Sequence, residues 1–402
     1  MIQRIISQLF RRRHYWRLIS FDEIAELYVS RLLTVFAINI VNLFAAVYLY
    51  KLGYSVQFII MFYGLLYLGK IPFSYLAARY AAHFGPKHGI FMANVLRIPS
   101  LISFALLPVF GLPAVIAFGI LQQMAATMYD LCYLINFSKV RSSTHTGKEI
   151  GTMQIMEKIA RLLSPIIGGV IATLYTPEAT IIVAAVLFIV STIPLFRTVE
   201  PTRTRTKIVF SGFPWRLARR SLVSETVVGF DFVASGVTWT LFVALFIFGD
   251  LGENVYAALG GLASLGVVVS MVTSWIFGQI VDRKKGHILL IAGTFANTII
   301  HLFRPFMSTP AGVMGVNIAN ETATSAYGMP FLRVMFDVAD RSGHRIAYMM
   351  FIEMALNFGT SMACVVLSLS IHFMGVKGGM TVFFFIAAFY ELLLLLSRRA
   401  AR

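Results

Sequence analysis

Gly278 to His287 reads GQIVDRKKGH, and its Asp282, Arg283, Lys284 and Lys285 interrupt a chain that is otherwise mostly apolar. One flank is the apolar run Val255–Val281, and the other is Ile288–Phe306. A helix needs about 20 apolar residues to cross a hydrocarbon core of roughly 30 Å, and both flanks meet that length. Charge packed between two such runs reads as a turn at a membrane surface.

Working outward, the same alternation fills the chain. Of 402 residues, 58% are hydrophobic and 13% charged, with a mean hydropathy of +0.78. Soluble domains are roughly half apolar, so this composition points to a protein embedded in lipid. Apolar runs lie near Leu27–Tyr50, Val56–Tyr80, Gly89–Val109, Pro113–Phe137, Ile150–Tyr175, Ala179–Phe196, Glu225–Phe248, Val255–Val281, Ile288–Phe306, Gly312–Phe336, Ile346–Phe373 and Gly378–Ser397. The expectation is an all-α polytopic membrane protein with twelve transmembrane helices.

The formal charge of +16 is not a nucleic-acid footprint, because the basic residues sit in short connectors and form no single face. Alternate connectors carry nearly all of them, from Arg11–Arg13 through Arg79, Lys87, Arg141, Arg197–Arg220, Arg283–Lys285 and Arg341 to Arg398 and Arg399. The intervening connectors hold Lys51, Lys377, Glu178, Asp250 and Glu253. By the positive-inside rule both termini are cytoplasmic. Cys132 and Cys364 lie inside apolar runs and imply no disulfide framework.

The longest connector divides the spans six and six. The expected organisation is a cytoplasmic amphipathic segment 1–26, a six-helix bundle 27–196, a cytoplasmic linker 197–224, a second bundle 225–397 and a tail 398–402. The piece FPWRLARRSL in the linker reads as an interfacial helix. Polar positions match between halves: Glu26 with Glu225, Gln123 and Tyr129 with Glu321 and Tyr327, and Glu157, Arg161, Ser164 and Gly168 with Glu353, Asn357, Thr360 and Cys364. Such internal repetition is expected of transporter folds.

With these features, the chain resembles the major facilitator superfamily of secondary transporters over essentially its whole length. GQIVDRKKGH matches that family's Gly-x-x-x-Asp-Arg-x-x-Gly pattern, which implies gating or structural roles for Gly278, Asp282, Arg283 and Gly286. Lys284 and Lys285 are open to the plainer reading of a helix stop that fixes topology. The corresponding connector in the first half, ARYAAHFGPKHG, keeps Gly85 and Lys87 but lacks the aspartate. Span five, GTMQIMEKIARLLSPIIGG, resembles the antiporter signature of drug/proton exporters through Gly151, Pro165, Gly168 and Gly169, with Ala160 and Ser164 where glycines are expected. Small-residue packing without antiport meaning is the alternative. An arginine in the middle of span four is absent, with Gln122 and Gln123 present instead.

Ionisable groups inside hydrocarbon cost several kcal/mol and are candidate sites by default. Those within spans are Arg31, Lys70, Arg97, Asp130, Glu157, Lys158, Arg161, Asp231, Arg304, Glu321 and Glu353. Glu321, then Glu353, then Asp231 are expected proton carriers, since desolvation favours a neutral carboxyl. Glu157 is expected to pair with Arg161 one turn away, and Asp130 with Arg31, Lys158 or Arg161. Arg97 and Arg304 are expected to pair between helices or snorkel. Spans one, four, seven and ten line the cavity in the family, which nominates Asn39, Asn42, Gln123, Tyr129, Asp130, Thr238, Trp239, Thr324 and Tyr327, joined by Arg161 and Asn357 from spans five and eleven.

The functional expectation is a secondary active transporter in the cell membrane of a bacterium, moving a small organic solute by alternating access. Proton coupling and export are part of that expectation. A lipid or lysolipid flippase of the same fold and a non-transporting scaffold or receptor are the alternatives. No Walker-type phosphate loop and no His-Glu-x-x-His pattern occurs, so neither ATP, another cofactor, a metal nor an enzymatic activity is expected. The expected partners are a small-molecule substrate, protons and the lipid bilayer, and a monomer is favoured.

Overall fold

A chain with long apolar runs and no water in which to satisfy backbone groups must close its hydrogen bonds within helices. The computed structural model describes residues 21–42, 49–50, 52–175, 177–202, 204–248 and 255–399, whose regular structure is helical with no strand among them. In order they form α1 (Phe21–Asn42), α2 (Val56–Phe84), α3 (Pro86–Ala105), α4 (Leu112–Val140), α5 (Thr146–Leu174), α6 (Pro177–Val190), α7 (Trp215–Phe246), α8 (Val255–Ile280), α9 (Gly286–Phe303), α10 (Pro310–Ser342) and α11 (Arg345–Glu391). Seven described stretches are long and apolar enough to cross a membrane, two of them running through a turn that joins two rods.

Local chemistry sets the ends. The Ser55 side chain accepts from the Phe58 amide at 3.1 Å to start α2, which stops at Gly85, where φ is +100°. Thr309 accepts from the Gly312 amide at 3.1 Å ahead of Pro310, and α10 stops at the left-handed Gly343. GQIVDRKKGH is a turn as its charges demand, with Lys284 in the left-handed region at φ 59° and α9 starting at Gly286.

Two boundaries differ from the sequence expectation. The span expected to begin at Glu225 extends back to Trp215, so FPWRLARRSL is the charged first part of α7 and not a separate surface helix. Residues 21–26, assigned by sequence to a surface segment, open α1, while residues 1–20 lie outside the described residues. The two last spans, both within α11, are parted where the sequence reading separates Phe373 from Gly378, by a reversal at Gly375, where φ is +71°. One glycine supplies the reversal, two residues before Lys377.

Packing pairs α3 with α4, α1 with α5, α7 with α11 and α9 with α10, while α2 against α11 and α5 against α8 join helices of the two sequence halves. Glycine permits the closest crossings. A Cβ on Gly229 would sit 2.1 Å from the Leu356 carbonyl oxygen, and one on Gly359 would sit 2.0 Å from that of Thr226. The molecule is apolar outside and charged within: Leu65, Ile182, Val272, Trp275 and Phe389 are exposed, whereas Lys70, Arg97, Asp231, Arg304, Glu353 and Glu391 are buried. That inversion is what a lipid solvent selects.

Candidate functional site

The buried charges fall into four groups, each explained by the helices that meet there. In the first, Arg31 of α1 reaches α5 and α4. Its Nε donates to Glu157 Oε1 at 2.7 Å, and its Nη1 donates to Asp130 Oδ1 at 3.3 Å. The guanidinium also lies 5.2 Å from the Tyr129 ring centre and 4.8 Å from that of Tyr133. Arg161 is a more distant partner of Glu157, at 3.7 Å and half exposed. The expected Glu157–Arg161 pair is therefore secondary, because Arg31 approaches closer and is better shielded from water.

The second group crosses the seam between sequence halves. Lys70 of α2 lies 3.6 Å from Glu353 of α11, both buried, and Asn357 donates to Glu353 Oε1 at 2.9 Å. Lys158 of α5 donates to Ser274 Oγ at 2.6 Å, to Ser325 Oγ at 2.9 Å and to the Ser270 carbonyl at 3.2 Å. Ser270 in turn donates to Glu321 Oε2 at 3.2 Å. Glu353 thus has an ammonium partner, and Glu321 shares Ser270 with one, the ammonium on its carbonyl and the carboxylate on its hydroxyl. Both cations come from other helices, where spacing along a single helix does not reveal them.

A third group is confined to second-half helices and was largely hidden in the sequence. Asp231 of α7 accepts from Ser235 at 2.6 Å and from the Tyr327 hydroxyl at 2.7 Å, and it meets His301 Nε2 at 2.9 Å. Arg304 lies 3.0 Å from His301 Nδ1 and donates to Asn320 at 2.8 Å. Directly after Asp231 the backbone widens into π-type turns over Phe232–Thr238, a deviation that often marks functional positions in helices. Glu391, at the end of α11, accepts from Asn297 at 3.0 Å. Arg304 is 0% and Arg97 2% exposed, so neither snorkels to an interface.

The fourth group closes the face that carries the basic connectors. Asp282 accepts from the Gly147 amide at 2.7 Å and the Lys148 amide at 3.1 Å, so its carboxylate caps the N-terminus of α5 from the opposite sequence half. Gly147 and Gly278 let the two helices touch, for a Cβ on Gly147 would be 2.5 Å from the Gly278 carbonyl. Arg141 bonds Asp337 at 2.9 Å and Asp340 at 2.8 Å, and Arg345 donates to Ser138 Oγ at 3.0 Å. Phe137 and Phe336 pack beneath, 5.5 Å between ring centres. Glu149, just outside the expected fifth span, accepts from the Ser142 amide at 2.8 Å, and burial pushes its carboxyl up to about 7.

The first-half connector without the aspartate has its own carboxylate, supplied by the linker. Glu200 accepts from the amides of Lys87 at 3.3 Å and His88 at 3.2 Å, at the start of α3. Gly85 leaves the room: a Cβ there would sit 2.4 Å from the Glu200 carboxyl carbon. Lys87 bonds Glu26 at 3.3 Å, and the amides of Arg205 and Thr206 donate to carbonyls at the end of α2, both at 3.0 Å. Sequence comparison of connector with connector could not find this, since the acid is more than a hundred positions away.

Other expected residues divide as follows. Trp239 Nε1 donates to Asn317 at 2.8 Å. Tyr129 is fully buried under Arg31 and Arg97 and lines no open space, and Thr238 and Tyr327 are buried too. Asn39 spends its amide on its own helix, at the Val35 carbonyl. Gln123 and Thr324 are partly buried. Arg283 is exposed, and Arg333 is the arginine near Asp282, at 3.6 Å. Gly286 is buried at the start of α9, and a Cβ on Gly168 would rest 3.4 Å from Ile40, an ordinary contact between α5 and α1. The surroundings of Asn42, Pro165 and Gly169 lie outside the described residues. Glu391, His301, Arg333, Gly147 and Glu200 were missed. Only Glu391, a lone acid in an apolar run, carried a signal of its own.

The sequence profile of the Major Facilitator Superfamily matches residues 27–363. No curated protein matches the sequence. Among solved structures, the human organic anion transporter MFSD10 (TETRAN) is similar with a TM-score of 0.68 at 10% identity, over 93% of this chain and 99% of that one. The E. coli fucose:proton symporter FucP gives 0.68 at 11% identity, over 94% and 98%. A bacterial homologue of the iron transporter ferroportin, in an outward-facing state, gives 0.66 at 12% identity, over 94% and 99%. At these identities the likeness is one of fold. The chain belongs to the Major Facilitator Superfamily, whose members are transport proteins and not enzymes.

Proposed function

We propose that this superfamily member is a proton-coupled secondary transporter that moves a small organic solute by alternating access and runs in the export direction. Its topology on this reading is twelve spans in two bundles, 27–196 and 225–397, with both termini cytoplasmic and the basic face inside. It acts as a monomer in a bacterial cell membrane.

The observation that carries the reading is the chemistry of the seam. A permanent scaffold gains most from closing such a junction with apolar side chains, because buried ion pairs contribute little net stability over well-packed hydrophobes. Here Lys70–Glu353, the Lys158–Ser270–Glu321 chain and the Asp282 cap are all contacts that water or a solute can replace as the bundles rock. The cap and the Arg141 pairs hold the basic face shut in the described state. Arg31, Asp130 and Arg161 on one side and Asn317, Asn320 and Trp239 on the other offer a solute both charged and neutral partners.

The test begins with thermal unfolding of detergent-purified protein against a panel of solutes, where a bound one raises the midpoint by mass action. The hit is then followed in proteoliposomes under an imposed pH gradient. The proposal expects transport that follows the gradient and is uncoupled from it by E321Q with E353Q. Unchanged proton dependence in that double variant would remove those carboxyls from the mechanism, and solute flux indifferent to pH would remove proton coupling.

A further inference from the structure

The second-half network holds one more carboxylate than its charges can balance. Atoms of Asp231, His301 and Glu391 lie within 4.8 Å of one another, and the three residues are 5%, 0% and 1% exposed. The groups facing them are Asn297 from α9 and Arg304 just past its end, Tyr327 from α10 and Ser235 from α7. Among these, Arg304 is the sole permanent cation.

Hydrogen-bond polarity fixes where the protons are. A guanidinium only donates, so His301 Nδ1 accepts from Arg304 and the imidazole hydrogen sits on Nε2, pointing at Asp231 Oδ1. Asp231 then accepts from three donors, His301, Ser235 and Tyr327, which is the setting of an ionised carboxylate. Arg304 balances that charge across the imidazole ring. Glu391 has one described donor, the Asn297 amide, and no cation left to oppose it. Two carboxyls sharing one buried site cannot both ionise, so the second keeps a proton.

Three ligand-type atoms this close are also the outline of a cation site. The hydrogen on Nε2 argues against one, because it leaves no lone pair directed at the cluster while Arg304 holds Nδ1.

We propose that Glu391 carries an exchangeable proton of the transport cycle, beside a fixed frame of Asp231, His301 and Arg304. This rests on the proton-coupled reading above and adds to Glu321 and Glu353 a third carboxyl that coupling requires. Release passes the proton from the Glu391 carboxyl to water and leaves a carboxylate, with no other bond changed. The outlet is polar: Ser235 Oγ touches both Asp231 and Asn320, and Ser235 and Asn320 are only partly buried. The π-type turns of α7 lie at that outlet, where a change of helix register would open or shut it.

The experiment is infrared titration of the full chain, reading the carbonyl stretch of protonated carboxyl groups from acid to alkaline pH. The expected result is a band present at neutral pH, bleached on alkalinisation and missing in E391Q. In D231N, with the neighbouring charge gone, that band titrates with about tenfold weaker proton affinity. Identical bands in the parent and a folded E391Q overturn the proposal. Where E391Q does not fold, an unshifted midpoint in D231N overturns it instead. Zn2+ or Mn2+ alone raising the melting temperature of the parent but not of E391Q also overturns it, in favour of a metal site. Proton-driven flux that survives E391Q overturns the placement and leaves coupling standing. The band with no proton-driven flux supports the site and overturns the coupled-transport reading.

Discussion

Lys70 and Glu353 show how a residue's meaning changes once its neighbour is known. Each is an expensive group in hydrocarbon, and 3.6 Å of separation makes the two a buried pair. Removing one partner strands the other, which costs about 3–5 kcal/mol, whereas removing both is close to neutral. K70M is therefore expected to lower the denaturation midpoint sharply, and K70M with E353Q to restore most of it, as read by thermal unfolding in detergent. An additive double variant would show that the pair is not coupled.

Glu149 has the opposite character, a carboxyl kept neutral by burial although the Ser142 amide and Arg141 pull it toward ionisation. Asp282 is its acidic neighbour, so ionising Glu149 puts a second negative charge beside the carboxylate that caps α5. An acid raised from 4.5 to about 7 binds its proton more tightly folded than unfolded. Its stabilising contribution is present at low pH and fades as pH rises through that window. E149Q should flatten the fall in stability between mildly acidic and neutral pH, a difference measurable by denaturant unfolding at several pH values. At this scale the sequence was legible where chemistry is local, as with Glu157 and Arg161 one turn apart on α5. It was not legible where partners are far apart in the chain, as with Asp231, His301 and Glu391, because no spacing rule links positions 231, 301 and 391.

At the scale of elements, apolar run length found the helices because lipid leaves the backbone no other structure. Charge misled at Trp215, where Arg216, Arg219 and Arg220 read as a surface helix although the backbone continues unbroken into α7. Gly375 carries the break expected between Phe373 and Gly378, a single glycine turning α11 there. Close crossings were invisible for a different reason: Gly229 and Gly359 matter only because each meets the other helix's backbone. G229A or G359A pushes a methyl group to about van der Waals overlap with a carbonyl, and overpacking of this kind typically costs about 1–3 kcal/mol. G236A, where nothing lies within 4 Å, is the control. Thermal unfolding should separate the first two from the third, and equal midpoints would mean that α7 and α11 separate freely.

At the scale of the molecule, the two connectors that the sequence set against each other are capped by different devices. Asp282 binds across the seam to α5, whereas Glu200 binds within the first sequence half to α3. On the proposed reading the first must break when the basic face opens, whereas Glu200 stays with α3; further along the linker Val209 meets His344 and Phe210 meets Phe351 of the second half. D282N removes the charge but keeps the shape, and loss of a cap of about 1 kcal/mol should raise the open population roughly fivefold. Met329 is fully buried at the closed seam, beside Gly151, so a cysteine there reports opening. With Cys132 and Cys364 replaced by alanine, M329C should react slowly with maleimide and about fivefold faster when D282N is added. E200Q should leave that rate unchanged, because its carboxylate spans no moving boundary. Equal acceleration by both variants would make the linker a second latch, and no acceleration by D282N would leave the basic face held by the Arg141 and Arg345 contacts alone.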